Sequence, residues 1–182
     1  MLRIALIFGG IAGLICGGMF FLTIPQEGGE MNFDNGQLIG YTTMIIALSS
    51  IFFAVKQYRD KELNGEIKFI QAFLMGLAIT VVAGFVYVFG WEIYYTNYAS
   101  DFGDQYVEYM REQMAEAGKS AEEINTTMAE QEEMMVLYKE NRAVRMGITF
   151  LEIFPVGLII SLIVALIYNF GMKNKEPAPG MA

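Results

Sequence analysis

Apolar residues dominate four stretches of this chain, residues 2–24, 38–55, 69–90 and 146–170. Each has about the 20 residues that a helix rising about 1.5 Å per residue needs to cross a hydrocarbon layer roughly 30 Å thick. The pattern predicts an all-α polytopic membrane protein, with four transmembrane helices and residues 1–182 in a single membrane domain. Between the third and fourth stretches it changes to apolar positions at helical spacing within a polar sequence. Tyr106, Met110, Met114 and Ala117 share one face of a first short helix, and Ile124, Met128, Met135 and Tyr138 lie broadly together on a second. Asp101 or Asp104 can cap the first, Gly118 can close it, and Ser120 with Glu123 has the spacing of a capping box opening the second. An αα-hairpin over about residues 100–145 is the expectation. No Pro or Gly interrupts residues 130–145, so its second helix is expected to continue into the fourth span.

Charge orients this layout. Lys56, Arg59, Lys61 and Lys68 lie between the second and third spans, whereas the first connection carries Glu27, Glu30 and Asp34 and no base. By the positive-inside rule the basic connection, Arg3 and the tail residues Lys173 and Lys175 face the cytoplasm. Both termini are then cytoplasmic and the hairpin faces outward, which in a bacterium with an outer envelope would be the periplasm. Arg142 and Arg145, near the outer end of the fourth span, stand against the rule. The formal charge of −8 belongs largely to the hairpin region, where residues 92–145 hold twelve acids against five bases. Trp91, Tyr94, Tyr95 and Tyr98 at the outer end of the third span, with Tyr58 and Tyr168 near the inner face, are expected to form aromatic belts. Arg3 ahead of an apolar run resembles a signal peptide. The run's length and its lack of a small-x-small site favour a retained helix, and Gly13, Leu14 and Ile15 do not make a lipoprotein signal for Cys16. The tail at 173–182, with Pro177 and Pro179, is expected to be flexible.

Composition narrows the chemistry. The chain has no histidine and one cysteine, which removes the ligands and bases of haem, zinc and Ser-His-Asp sites. With no aspartate pair in the spans and no Ser-Lys dyad, a non-enzymatic protein without metal or cofactor is expected. No basic stripe accompanies aromatic platforms, so nucleic acid is not an expected partner. Cys16, inside the first span, is expected to be a small buried apolar residue.

Three motifs remain. Gly9, Gly13 and Gly17 recur every four residues on the first span, a face that lets backbones approach. It can pack within the bundle, with Gly76, Thr80 and Gly84 as the partner face, or against a second copy. Glu152 is a carboxyl within the fourth span and should face protein, because exposure to hydrocarbon costs a few kcal/mol. Matching depths nominates Tyr87 and Thr42 as its hydrogen-bond partners, and no base reaches that level, so the group is expected to be neutral. Pro155, three residues on, favours a bend there. A carboxyl beside a kink suits a proton or ion pathway and equally suits a lock on helix packing. Met110, Met114, Met128 and Met135 could be soft ligands for copper(I), but without Cys or His their spacing is simply helical, and an adaptable partner-binding surface is the expectation.

The sequences Gly65-Glu-Ile-Lys-Phe-Ile-Gln-Ala-Phe73, Met114-Ala-Glu-Ala-Gly-Lys-Ser-Ala-Glu-Glu-Ile124 and Phe154-Pro-Val-Gly-Leu-Ile-Ile-Ser-Leu162 carry a resemblance. With them the chain resembles a family of bacterial four-span membrane proteins known only as a domain of unknown function. The resemblance implies an inner-membrane location and four helices, and it assigns no catalytic residue.

Two functions are compatible with these residues. One is a scaffold or accessory protein of the envelope, embedded in the lipid bilayer, whose hairpin binds a membrane or periplasmic protein or a second copy in a homodimer. The other is a small proton-coupled carrier that uses Glu152.

Overall fold

The structure is a computed structural model that describes residues 1–23 and 31–171. The expected flexible tail, and Glu27 and Glu30 of the first connection, lie outside the described residues. Every regular element among the described residues is helical. The order is α1 Leu2–Gly18, α2 Phe20–Thr23, α3 Phe33–Leu48, α4 Ile51–Glu62, α5 Phe69–Tyr98, α6 Phe102–Glu116, α7 Ala121–Glu140 and α8 Arg142–Leu166, ending in a π-helical turn, Ile167–Gly171. Among the described residues four stretches are long and apolar enough to cross a membrane: Leu2–Thr23, Phe33–Glu62, Phe69–Tyr98 and Arg142–Phe170. They match the four apolar runs and mostly extend beyond them, because charged and aromatic residues prolong the helices past the apolar stretch.

The spans form a four-helix bundle around α5, which packs along α1 on one side and α8 on the other, with α3 and α4 closing the ring. Both α5 seams are made of small residues. A Cβ added at Gly9 would lie 2.6 Å from Val82 Cβ and 2.7 Å from the Ile79 carbonyl, and one at Gly13 would lie 2.6 Å from Val86 Cβ and 2.7 Å from the Ala83 carbonyl. Gly17 lies against the backbone of Gly90. The glycine face therefore packs within the bundle, but its partners are Val82, Val86 and Gly90. Gly76, Thr80 and Gly84, the expected partners, face α8 instead, meeting Ser161, Gly157 and Phe150. Pro155 lies within α8, which continues on both sides of it.

Local signals explain the ends of the elements. Ser120 caps α7 by accepting from the Glu123 amide at 3.3 Å, while the Glu123 carboxylate accepts from the Ser120 amide at 2.9 Å. The Ser120 amide, and then its hydroxyl, hold the Glu123 carboxyl below its ordinary value. The box is therefore complete at neutral pH and is lost on acidification through that lowered value. Gly118, at φ +77°, follows the end of α6, and Gly65, at φ +90°, makes the turn into α5. Asp101 occupies the N-cap position of α6 without a side-chain cap bond, its carboxylate accepting from Gln105 at 2.9 Å.

The expected continuous helix from the hairpin into the fourth span is not formed. Asn141 breaks it, with φ −112° and ψ 101°, and its side chain accepts from the Ala143 and Val144 amides to start α8 anew. An Asx cap replaces intrahelical bonds without requiring Gly or Pro. Within the second span α3 and α4 meet at Ser49 and Ser50, where the backbone stays in the right-handed helical region. The Ser50 hydroxyl is enclosed there and is the buried side-chain polar atom without a hydrogen-bond partner among the described residues. Ser50→Ala should therefore leave stability unchanged or raise it by up to about 1 kcal/mol, because the unmade bond already costs folding energy. Thermal unfolding in detergent checks this.

Candidate functional site

The amine of Met1 pairs with Glu62, so the N-terminus and the basic connection share one end of the bundle and the hairpin occupies the other. At the hairpin end, α5 runs two turns past its apolar stretch and carries Glu92 into the interior, 2% exposed. Arg145, 5% exposed, donates to Glu92 from Nε at 2.6 Å and from Nη2 at 3.0 Å, a bidentate pair. Its remaining nitrogen, Nη1, donates to the carbonyls of Tyr138 and Lys139 at 3.0 and 3.3 Å, satisfying the end of α7 just before the Asn141 break. The guanidinium stacks over the Tyr95 ring at 4.1 Å. Arg142, mostly solvent-exposed, adds a bond to Glu92 at 3.0 Å.

Arg142 and Arg145, which stand against the positive-inside rule, are both paired with a carboxylate from the neighbouring span. The cluster corrects one expectation. Trp91, Tyr94 and Tyr95 are not a lipid-facing belt. They are 4%, 0% and 5% exposed and form a second core with Ala99 and Tyr138, in which Trp91 Nε1 donates to the Tyr138 hydroxyl at 2.5 Å. Tyr168 is also buried, its hydroxyl donating to the Phe52 carbonyl at 3.2 Å. Glu92 was hidden in the sequence among the acids of the loop. The signal that could have found it is two arginines on the wrong side of one span facing an acid at the same depth on the next.

The hairpin also holds itself together and grips the second span. Arg111 donates to Glu132 and Asn125, and Lys139 pairs with Asp104 at 2.8 Å, an interaction that raises the lysine's pKa. Gln105 accepts from the Met31 amide at 3.1 Å, Tyr109 donates to Asp34, and the Phe33 ring packs on Phe102, Tyr106 and Tyr109. The four methionines lie differently from a binding surface. Met128 is fully enclosed, and Met110, Met114 and Met135 are half-buried. The large apolar side chains that the hairpin does expose are Met134, Val136 and Leu137.

Glu152 lies lower in the bundle. Tyr87, buried on α5, donates its hydroxyl to Glu152 Oε2 at 2.8 Å, as depth matching anticipated. Among the described residues no hydrogen bond joins Thr42 to Glu152, and Thr42 is exposed. Glu152 itself is exposed on the bundle, not enclosed by protein as expected. In α3 no residue from Asn32 to Thr43 is buried. That half of the span is held at its tip by the hairpin and joins the core only at Met44.

No group of three or more Asp, Glu, Cys or His side chains among the described residues could hold a metal ion. The arrangement offers proton exchange and ion pairing at Glu152 and rigid attachment at Glu92. No curated protein and no solved structure matches the chain. A family model described as Protein of unknown function (DUF4199) matches residues 7–169, nearly the whole of the bundle and hairpin, and the chain belongs to that family.

Proposed function

We propose that this protein is a non-enzymatic scaffold or accessory protein of the bacterial inner membrane, with both termini cytoplasmic and its hairpin presented outside to a protein partner. The observation that carries the reading is the buried Glu92–Arg145 pair together with the bonds from Arg145 to the Tyr138 and Lys139 carbonyls and from Trp91 to the Tyr138 hydroxyl, which fix the second hairpin helix on the bundle instead of leaving it as a loose loop. A fixed hairpin has a defined outer face, and here Glu130, Glu133, Met134 and Leu137 lie exposed together at helical spacing. That mixture of acid and apolar side chains suits a partner surface of basic residues around an apolar patch. Lys56, Arg59, Lys61 and Lys68 support the orientation. Mild extraction from native membranes should yield a particle larger than the single chain, and Glu130→Lys with Glu133→Lys should shrink it without changing thermal unfolding. A wild-type particle no larger than one chain overturns the reading.

The exposure of Glu152 and its bond to Tyr87 favour a second reading, a proton-coupled carrier. In proteoliposomes carrying a pH-sensitive dye, Glu152→Gln should then abolish substrate-driven proton movement while preserving fold, and Tyr87→Phe should weaken it. Equal loss of folded protein in Glu152→Gln and Glu152→Leu would make the residue purely structural.

A further inference from the structure

At the end of the bundle that carries the basic connection, α1 and α4 lie side by side and leave a cavity of about 300 Å³ between them. Its wall is made by Arg3, Ile4 and Ile7 of α1 and by Gln57, Lys61 and Glu62 of α4. Helical spacing brings these residues to one opening. Arg3 and Ile7 are four residues apart on α1, as are Gln57 and Lys61 on α4, so each pair shares a helix face. The first helix starts at this end and the other finishes there, as the pairing of the Met1 amine with Glu62 shows. Arg3 and Lys61 therefore stand at the mouth of the cavity, and Ile7 and Gln57 lie one turn deeper, about 6 Å.

Polarity is graded along that depth. Two bases face one acid at the mouth, and that acid, Glu62, is engaged by the Met1 amine. Neither Arg3 nor Lys61 forms an ion pair with a described residue. Deeper in, Gln57 is half-buried and Ile4 is buried. Beyond them exposed apolar side chains continue on the same faces toward the middle of the membrane, Ile7, Ile11 and Leu14 on α1 and Phe53 on α4. A cavity with unpaired cations at its mouth and an apolar floor open to lipid is complementary to an anion that carries hydrocarbon chains.

We propose that this cavity binds the phosphate of an anionic phospholipid, such as phosphatidylglycerol, in the leaflet at the basic end of the bundle. The phosphate lies between Arg3 and Lys61, the Gln57 amide meets the glycerol and ester oxygens, and an acyl chain follows Ile7, Ile11 and Phe53. Free phosphate offers the same charge and the same acceptor oxygens, but it leaves the apolar floor unused. A zwitterionic lipid brings a cation of its own toward the two bases. The site is independent of the hairpin and of Glu152, and it stands or falls apart from both readings of function.

Native mass spectrometry of the full chain in a non-ionic detergent reads retained lipid directly. Phosphatidylglycerol should be retained at roughly tenfold lower concentration than phosphatidylcholine with the same acyl chains. Arg3→Ala with Lys61→Ala should remove that preference, and Gln57→Glu, which sets a carboxylate in the cavity wall, should lower it severalfold. Lys56→Ala with Lys68→Ala removes the same charge at the same end but outside the cavity, and should keep the preference. Arg3 and Lys61 are exposed, so their variant should unfold together with the wild type when lipid is absent. Inorganic phosphate at millimolar concentration should not displace the lipid. Equal retention of the two lipids by the wild type overturns the proposal. An equal loss of preference in the Lys56 and Lys68 variant also overturns it, since surface charge would then account for the effect. Displacement by inorganic phosphate overturns the lipid assignment and makes the cavity a site for a soluble phosphate.

Discussion

Arg145→Met should destabilise the protein by about 3–5 kcal/mol, the cost of leaving one member of a buried ion pair uncompensated. Glu92 would keep only Arg142, a mostly exposed side chain, and the last carbonyls of α7 would lose their donor. The sole tryptophan is a direct reporter, because Trp91 donates to Tyr138 of α7 in the same core. Its emission should shift to the red at lower temperature or denaturant in the variant than in the wild type. Glu92→Leu combined with Arg145→Met should cost less than either change alone, since no charge is then left buried. A variant whose unfolding coincides with the wild type would show that the pair does not hold the hairpin.

Gly13→Leu should be nearly as damaging, for a steric reason. Even the first added carbon would lie 2.6 Å from Val86 and 2.7 Å from the Ala83 carbonyl, so α1 and α5 must separate. Overpacking of this kind costs about 1–3 kcal/mol and sometimes more, and in lipid no hydrophobic effect draws the helices back together. Gly10 is the control. A Cβ there meets nothing within 4 Å, so Gly10→Ala should be neutral or slightly stabilising through helix propensity. Val86→Ala should relieve Gly13→Leu only in part, because the Cβ of residue 86, the nearest clashing atom, and the Ala83 carbonyl both remain. The comparison is made by thermal unfolding in detergent and by yield of folded protein.

Much of the fold was legible because long apolar runs and capping residues act locally. The four spans, the Ser120–Glu123 box and the Gly118 closure follow from neighbouring residues alone. Depth across adjacent spans was also enough to pair Tyr87 with Glu152. Periodicity shows which residues share a face but not which helix that face meets, so the glycines of α1 were matched to the small residues on the other seam of α5. The aromatic residues from Trp91 to Tyr95 looked like a belt because composition cannot show that a hairpin folds down over them. Asn141 is one polar residue among many in its segment, and its cap becomes visible only with Arg145 turned back on the end of α7. That Glu152 is exposed and bonded to Tyr87 depends on how separate helices pack, a relation that no local pattern carries.

Cross-linking in native membranes followed by mass spectrometry reads out whether the fixed hairpin meets a partner outside the bundle. Lys119 and Lys139 are exposed on the hairpin, while Lys56, Lys61 and Lys68 belong to the opposite end. Links from Lys119 and Lys139 to one recurrent protein, lost in the Glu130→Lys with Glu133→Lys variant, are the expected result. Links confined to the chain itself, or unchanged in that variant, would contradict it.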